Sequence, residues 1–214
     1  MTGFDENSEI QLHHFDLNNF LNNDIGDIKR FMEGGNYPKF SVKRGKRDGI
    51  FSMEVPPFPE ASSVIELLQA ELPEELQALD LRFKRMDIFV RFVPKLEVEK
   101  VGGEKVSVIA NYMDVFDLNK RKLWIQLSTE RFKEMPKDDR IVNIVAAVVH
   151  EIAEKDYYLK TPNAPKDSDL LLGTKQYAFT EDEEIANRRA LRVLKRRYPN
   201  VNLGDVQYPI DKDL

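Results

Sequence analysis

The chain has 214 residues, 42% of them hydrophobic and 32% charged, with no cysteine and a formal net charge of -5. That length buries a sizeable core without covalent help, and the lack of cysteine excludes disulfides and thiolate metal sites. The acidic balance gives no general attraction to nucleic acid, no apolar run approaches the ~18 residues that span a bilayer, and the first twenty residues lack the basic and apolar regions of a signal peptide. A cytoplasmic protein with no membrane partner is expected.

Residues 1–36 are polar, with Asn18, Asn19, Asn22 and Asn23 clustered and Gly34-Gly35 at the end. The spacing of Phe20, Ile25, Ile28 and Phe31 allows one amphipathic helix in this segment. "KFSVKRGKRDGIFSMEV" alternates around Asp48-Gly49 and predicts a hairpin. "VPPFPE" then breaks the chain, which suggests an N-terminal appendage over 1–58, carrying the hairpin, and a main domain over 59–214. "ASSVIELLQAEL" predicts a short helix with Ile65, Leu67, Leu68 and Leu72 facing inward.

Two β-rich runs, "MDIFVRFVPKLEV" and "KVSVIANYMDV", flank Gly102-Gly103, and "KLWIQL" is a third, shorter one. Pro136, Asp138 and Asp139 mark the start of a helix expected over about 138–157. Its apolar residues, Ile141, Ile144, Val145, Val148, Val149 and Ile152, occupy more than one stripe, so the helix should be largely buried. A Pro-, Asn- and Asp-rich loop follows. The last predicted helix, in "TEDEEIANRRALRVLKRRYP", is stopped by Pro199.

Chemistry concentrates in "AAVVHEIAEKDYY", residues 146–158. Residues four apart share a helix face, so His150 and Glu154 project together, while Glu151 lies about 100° round the axis. In zinc hydrolases such spacing lets the paired residues bind metal while the adjacent Glu takes a proton from water. Here the common H-E-x-x-H reads H-E-x-x-E. A third ligand is needed. His13 and His14 are remote in sequence, whereas "EEIANRRALRVL" (183–194) offers Glu183 one turn before Asn187, with Ala186 and Ala190 near the same face.

Over residues 105–198 the chain resembles the compact gluzincin peptidases, in particular the minigluzincin and ImmA/IrrE-like group. The likeness rests on the strand pair, "LWIQLS", the helix with "VVHEIAE" and the helix with "EEIAN" followed by Ala190. It implies an α+β, zincin-like fold in which a small twisted mixed sheet, from residues 37 to 127, packs on an active-site helix with a second ligand-bearing helix behind. It also implies His150 and Glu183 as metal ligands, Glu151 as the catalytic base and Asn187 as a supporting residue beside the ligands. Glu154 stands where the family has its second histidine. A carboxylate is an acceptable zinc ligand, but one imidazole with two carboxylates neutralises a divalent charge and so polarises bound water less. Such a set also moves preference toward manganese or iron.

Each residue has a structural alternative. His150 can be a hydrogen-bonded core histidine. Glu151 and Glu154 can be solvated surface, and Glu183 can close a capping box on Thr180. The basic end of the last helix (Arg188, Arg189, Arg192, Lys195, Arg196, Arg197) reads as a solvated face suited to the helix dipole, and nucleic-acid binding is disfavoured. Tyr157, Tyr158 and Tyr177 are candidates for oxyanion stabilisation or for packing.

The expected function is hydrolysis of peptide bonds through a metal-activated water. The cofactor would be a divalent metal, zinc first and manganese or iron after it. The alternative is a catalytically inactive zincin-like domain that binds a protein partner. In either case "KLWIQL" is expected to border the cleft and receive an extended peptide.

Overall fold

The computed structural model describes residues 38–43, 49–77, 85–99, 103, 105–117, 120–163, 180–197 and 199. The expected helix around Phe20–Phe31, His13, His14 and Tyr177 lie outside them. The described residues form an α+β architecture with a five-stranded mixed sheet, a small two-stranded sheet and four helices.

The predicted hairpin is present: β1 (Lys39–Lys43) pairs antiparallel with β2 (Ile50–Glu54). β2 then runs parallel to β3 (Asp87–Val93), with Phe51 opposite Ile88. A parallel pair cannot be joined by a tight turn and needs a crossover, which contains α1 (Ala61–Gln77). The hairpin is therefore hydrogen-bonded into the same sheet as the strands beyond "VPPFPE", and the expected boundary at 58/59 falls within a continuous sheet.

Each of the two β-rich runs divides in two. The first supplies β3 and β4 (Glu97–Glu99), the second β5 (Lys105–Ser107) and β6 (Ala110–Asp117). β4 and β5 form the small sheet near Gly103, whose φ of 82° is in the region that favours glycine. "KLWIQL" belongs to the longest strand, β7 (Lys120–Ser128). β7 is parallel to β3 on one side and antiparallel to β6 on the other, giving the order β1-β2-β3-β7-β6.

In β7, an interior strand, the residues from Leu123 to Ser128 are all buried, so its alternation is masked. Leu123, Ile125 and Leu127 join Ile88, Val90, Phe51 and Met53 in the main core, while Trp124 packs against Phe89 with ring centroids 6.1 Å apart. Helices close the core face. α1 contributes Val64, Leu68 and Leu72. α3 (Lys137–Lys160) contributes an almost unbroken apolar run, and α4 (Glu181–Arg197) contributes Ala190, Val193 and Leu194. α2 (Thr129–Lys133) is a single short helix capped by Ser128, whose hydroxyl accepts from the Arg131 N–H.

The structure corrects the end of α1. The sequence places it at Leu72, before Pro73, since proline removes an intrahelical bond and clashes with the preceding turn at a cost of roughly 3 kcal/mol. The helix instead continues through Pro73 to Gln77. The added turn carries Glu74 and Glu75, which bind arginines of α4, so tertiary contacts hold what local preference would end.

Candidate metal centre

α3 begins at Pro136 without a side-chain cap, and Asp138 and Asp139 in its first turn suit the positive end of the helix dipole. Arg140 anchors this end. Its guanidinium donates to the Phe132 and Met135 carbonyls at 2.9 and 3.2 Å, pairs with Glu60 at 3.0 Å and lies 5.0 Å from the Phe58 ring centroid. Residues 142–153 are then all buried, which meets the expectation of a helix apolar on more than one face. Among them Ala146 and Ala153 on α3, with Ala186 and Ala190 on α4, are at most 1% exposed. Small residues at these positions let the two helices approach closely.

That approach brings the three expected ligands together. Ligand atoms of His150, Glu154 and Glu183 all lie within 4.8 Å of one another, His150 and Glu183 buried and Glu154 half-buried. His150 Nε2 is 3.2 Å from Glu183 Oε2. Two ligands of one ion with bonds of about 2.1 Å stand about 3 to 4 Å apart, so this separation suits a shared cation. α4 does open at Thr180, whose carbonyl accepts from the Glu184 N–H at 2.9 Å. The Glu183 carboxylate, however, turns to His150, and its other oxygen, Oε1, is buried with no hydrogen-bond partner among the described residues. Glu183 is not a capping residue.

The electrostatics make this arrangement costly without a cation. Burial opposes charge on the His150 ring, yet Glu183, with support from Glu151 and Asn187, holds its pKa above the ordinary histidine value. Glu183 Oε1 and Asn187 Oδ1, one helical turn apart, are both buried with no well-formed hydrogen bond among the described residues. A buried acceptor left unsatisfied costs about 1–3 kcal/mol, more when charged. One imidazole and two carboxylates are a donor set that divalent metals accept. The residues present fit a divalent cation.

Glu151 is 3% exposed, so the surface alternative for it fails. The hydroxyls of Tyr157 and Tyr158 are engaged with the first turn of α4, Tyr157 with Glu181 at 3.1 Å and Tyr158 with Asp182, and their rings meet edge to face. Both serve the α3–α4 joint. With Glu183 on His150 and Glu184 on Arg188, each of the four acids crowding that turn has a partner.

Two further expectations are corrected. "KLWIQL" cannot receive an added strand, because β7 already has neighbours on both sides; among the described residues β6, next to β7, is one of the two sheet edges. β6 also lies on the α3 side of the site, since Lys155 Nζ sits 5.6 Å from the Tyr112 ring centroid. The basic end of α4 is not simply a solvated face. Arg189 and Arg192 bind Glu75 at 3.2 and 3.0 Å, and Arg196 binds Glu71 and Glu74. Sequence reasoning missed this clasp, although acids at 71, 74 and 75 and arginines at 189, 192 and 196 share helical spacing.

Comparison with protein-family models, with curated proteins and with solved structures finds no match to this chain. No described helix is long and apolar enough to cross a membrane.

Proposed function

We propose that the chain is a metal-dependent peptidase of zincin-like design, in which His150, Glu154 and Glu183 hold a divalent ion and Glu151 is the base. The observation that carries this reading is the convergence of three donor groups from two helices to within 4.8 Å in a largely buried setting. A divalent ion held there supplies Lewis acidity to a carbonyl or a water. The chain's own residues supply the rest. The Glu151 carboxylate takes a proton from the attacking water and returns it to the leaving amine. β6, with a neighbour on one side only in the described sheet, aligns an extended peptide by strand addition.

The second reading is a catalytically silent domain of the same design that binds a protein partner along β6. It is favoured by the donor set itself, since two carboxylates offset the full charge of a divalent ion and weaken its pull on a bound water.

The test is metal content of the purified protein together with hydrolysis of an unstructured peptide by wild type and Glu151→Gln. The peptidase reading expects one divalent ion per chain and hydrolysis that falls about 100-fold or more in the variant, the range for loss of a general base, with metal retained. Bound metal without hydrolysis, or no metal in a folded protein, supports the silent domain.

A further inference from the structure

α3 and α4 touch through a second charged pair further along both helices. Asp156 follows His150 by six residues, and Arg189 follows Glu183 by six. His150 Nε2 is 3.2 Å from Glu183 Oε2, and Arg189 Nη1 is 3.1 Å from Asp156 Oδ2. Each pair is thus displaced along its helices by about 9 Å, at 1.5 Å per residue. Two cross-helix pairs at different heights restrict the register, because sliding or rotating one helix against the other breaks both.

The second pair is braced from outside. Arg189 Nε is 3.2 Å from Glu75 Oε2, and Nη2 donates to the Glu75 carbonyl at 3.3 Å. One guanidinium therefore joins three helices: α1 through Glu75, α3 through Asp156 and α4 through its own backbone. The planar fork of arginine suits this, since its donors diverge in fixed directions, whereas lysine offers a single point of attachment. Glu75 and Asp156 are 4% and 2% exposed, and the Arg189 side chain is 14% exposed, so solvent cannot easily replace either contact.

Tyr157 and Tyr158 hold the first turn of α4 through Glu181 and Asp182; beyond that turn the apolar contacts tolerate movement. Ala186 and Ala190 pack without interlocking shape, and small side chains permit several sliding positions at similar cost. A slip of one helical turn would carry Glu183 about 5.4 Å from its place, beyond the reach of an ion held by His150.

We propose that Arg189 is a positioning residue for the metal centre: by bridging Asp156 and Glu75 it sets the α3–α4 register that presents Glu183 to His150 and Glu154. This rests on the reading of those three residues as a metal site. Arg189 touches neither the ligands nor a substrate in this role; it acts through the helix that bears Glu183.

Removing Arg189 need not unfold the chain. Asp156 keeps Lys160 at 2.5 Å, and Glu75 keeps Arg192 at 3.0 Å. Arg196→Met is the control for the α1–α4 clasp, since it removes ion pairs with Glu71, Glu74 and, at 3.7 Å, Glu75, two turns further from the ligands and without a contact to Asp156. Zinc and manganese affinities and thermal stability would be measured for wild type, Arg189→Met, Arg189→Lys and Arg196→Met. Arg189→Met should weaken metal binding tenfold or more, Arg189→Lys should restore part of it, and Arg196→Met should bind as wild type at a comparable loss of stability. Equal affinity in Arg189→Met and wild type, or equal losses in Arg189→Met and Arg196→Met, overturns the proposal.

Failure of the metal reading is seen separately, as wild type that binds neither ion. The register is then read from the His150 ring nitrogen resonances, which report the Glu183 contact without metal. A shift in Arg189→Met but not in Arg196→Met supports positioning, and unchanged resonances in both refute it. Should Arg189→Met fail to fold, the comparison of Arg189→Lys with Arg196→Met decides on the same readouts.

Discussion

Glu183 has one carboxylate oxygen 3.2 Å from His150 and the other buried without a hydrogen bond among the described residues, a state that a cation would relieve. Glu183→Gln keeps the shape of the side chain and removes its charge. It should lower metal affinity at least tenfold while costing about 1 kcal/mol or less in stability, the scale of an ordinary hydrogen bond. The same change should lower the His150 pKa, because Glu183 is foremost among the groups that raise it against burial. A histidine titration by NMR beside a zinc titration checks both outcomes, and unchanged affinity would return Glu183 to a structural role. Glu154 is the residue that departs from H-E-x-x-H. Glu154→His adds one unit of positive charge to the centre, so zinc should gain preference over manganese and peptide hydrolysis should rise, provided Glu151 remains. Competition of the two ions for the variant measures the first effect independently of activity. His150 and Glu154 were legible from spacing, because i, i+4 geometry is local, whereas Glu183, on another helix, was reached through the resemblance. That Glu183 faces His150 rather than Thr180 was not legible, since a capping box and a ligand helix have the same sequence and differ only in what packs opposite.

The two helices of the candidate centre meet through alanines. Ala186 and Ala190 are fully buried where α4 meets α3. Ala190→Leu forces extra methylenes into that seam, which typically costs about 1–3 kcal/mol in strain. A lower melting temperature together with weaker zinc binding is expected, while a lower melting temperature with unchanged zinc affinity would show that the centre does not depend on close approach. α3 itself was readable within a few residues at each end, as a long buried helix from 137 to 160, since its apolar residues exceed one stripe. α1 was not. Its last turn survives beyond Pro73 through Glu75 and the arginines at 189 and 192, more than a hundred residues away. The interior place of β7 was equally hidden, because strand order depends on pairings between β3, β6 and β7 that no single run encodes.

Among the described residues the helices pack on one sheet face, and many of the polar groups buried there gather at the α3–α4 crossing. His150, Glu151, Asp156, Asp182, Glu183 and Asn187 are all at most 9% exposed. A fold that only needed a core would place apolar side chains there, since burying charge is costly unless it is paired or binds a metal. The metal reading makes the set intelligible as one unit, with ligands, a base and supports drawn from two helices. Zinc titration by calorimetry, on wild type and on His150→Ala in parallel, is the decisive measurement. One zinc ion per wild-type chain with a Kd below about 1 μM, a binding free energy near 8 kcal/mol, is expected, with affinity at least 100-fold weaker in a folded His150→Ala. A wild type that takes up neither zinc nor manganese at micromolar concentrations, or a His150→Ala that binds as tightly as wild type, would rule out the His150–Glu154–Glu183 centre.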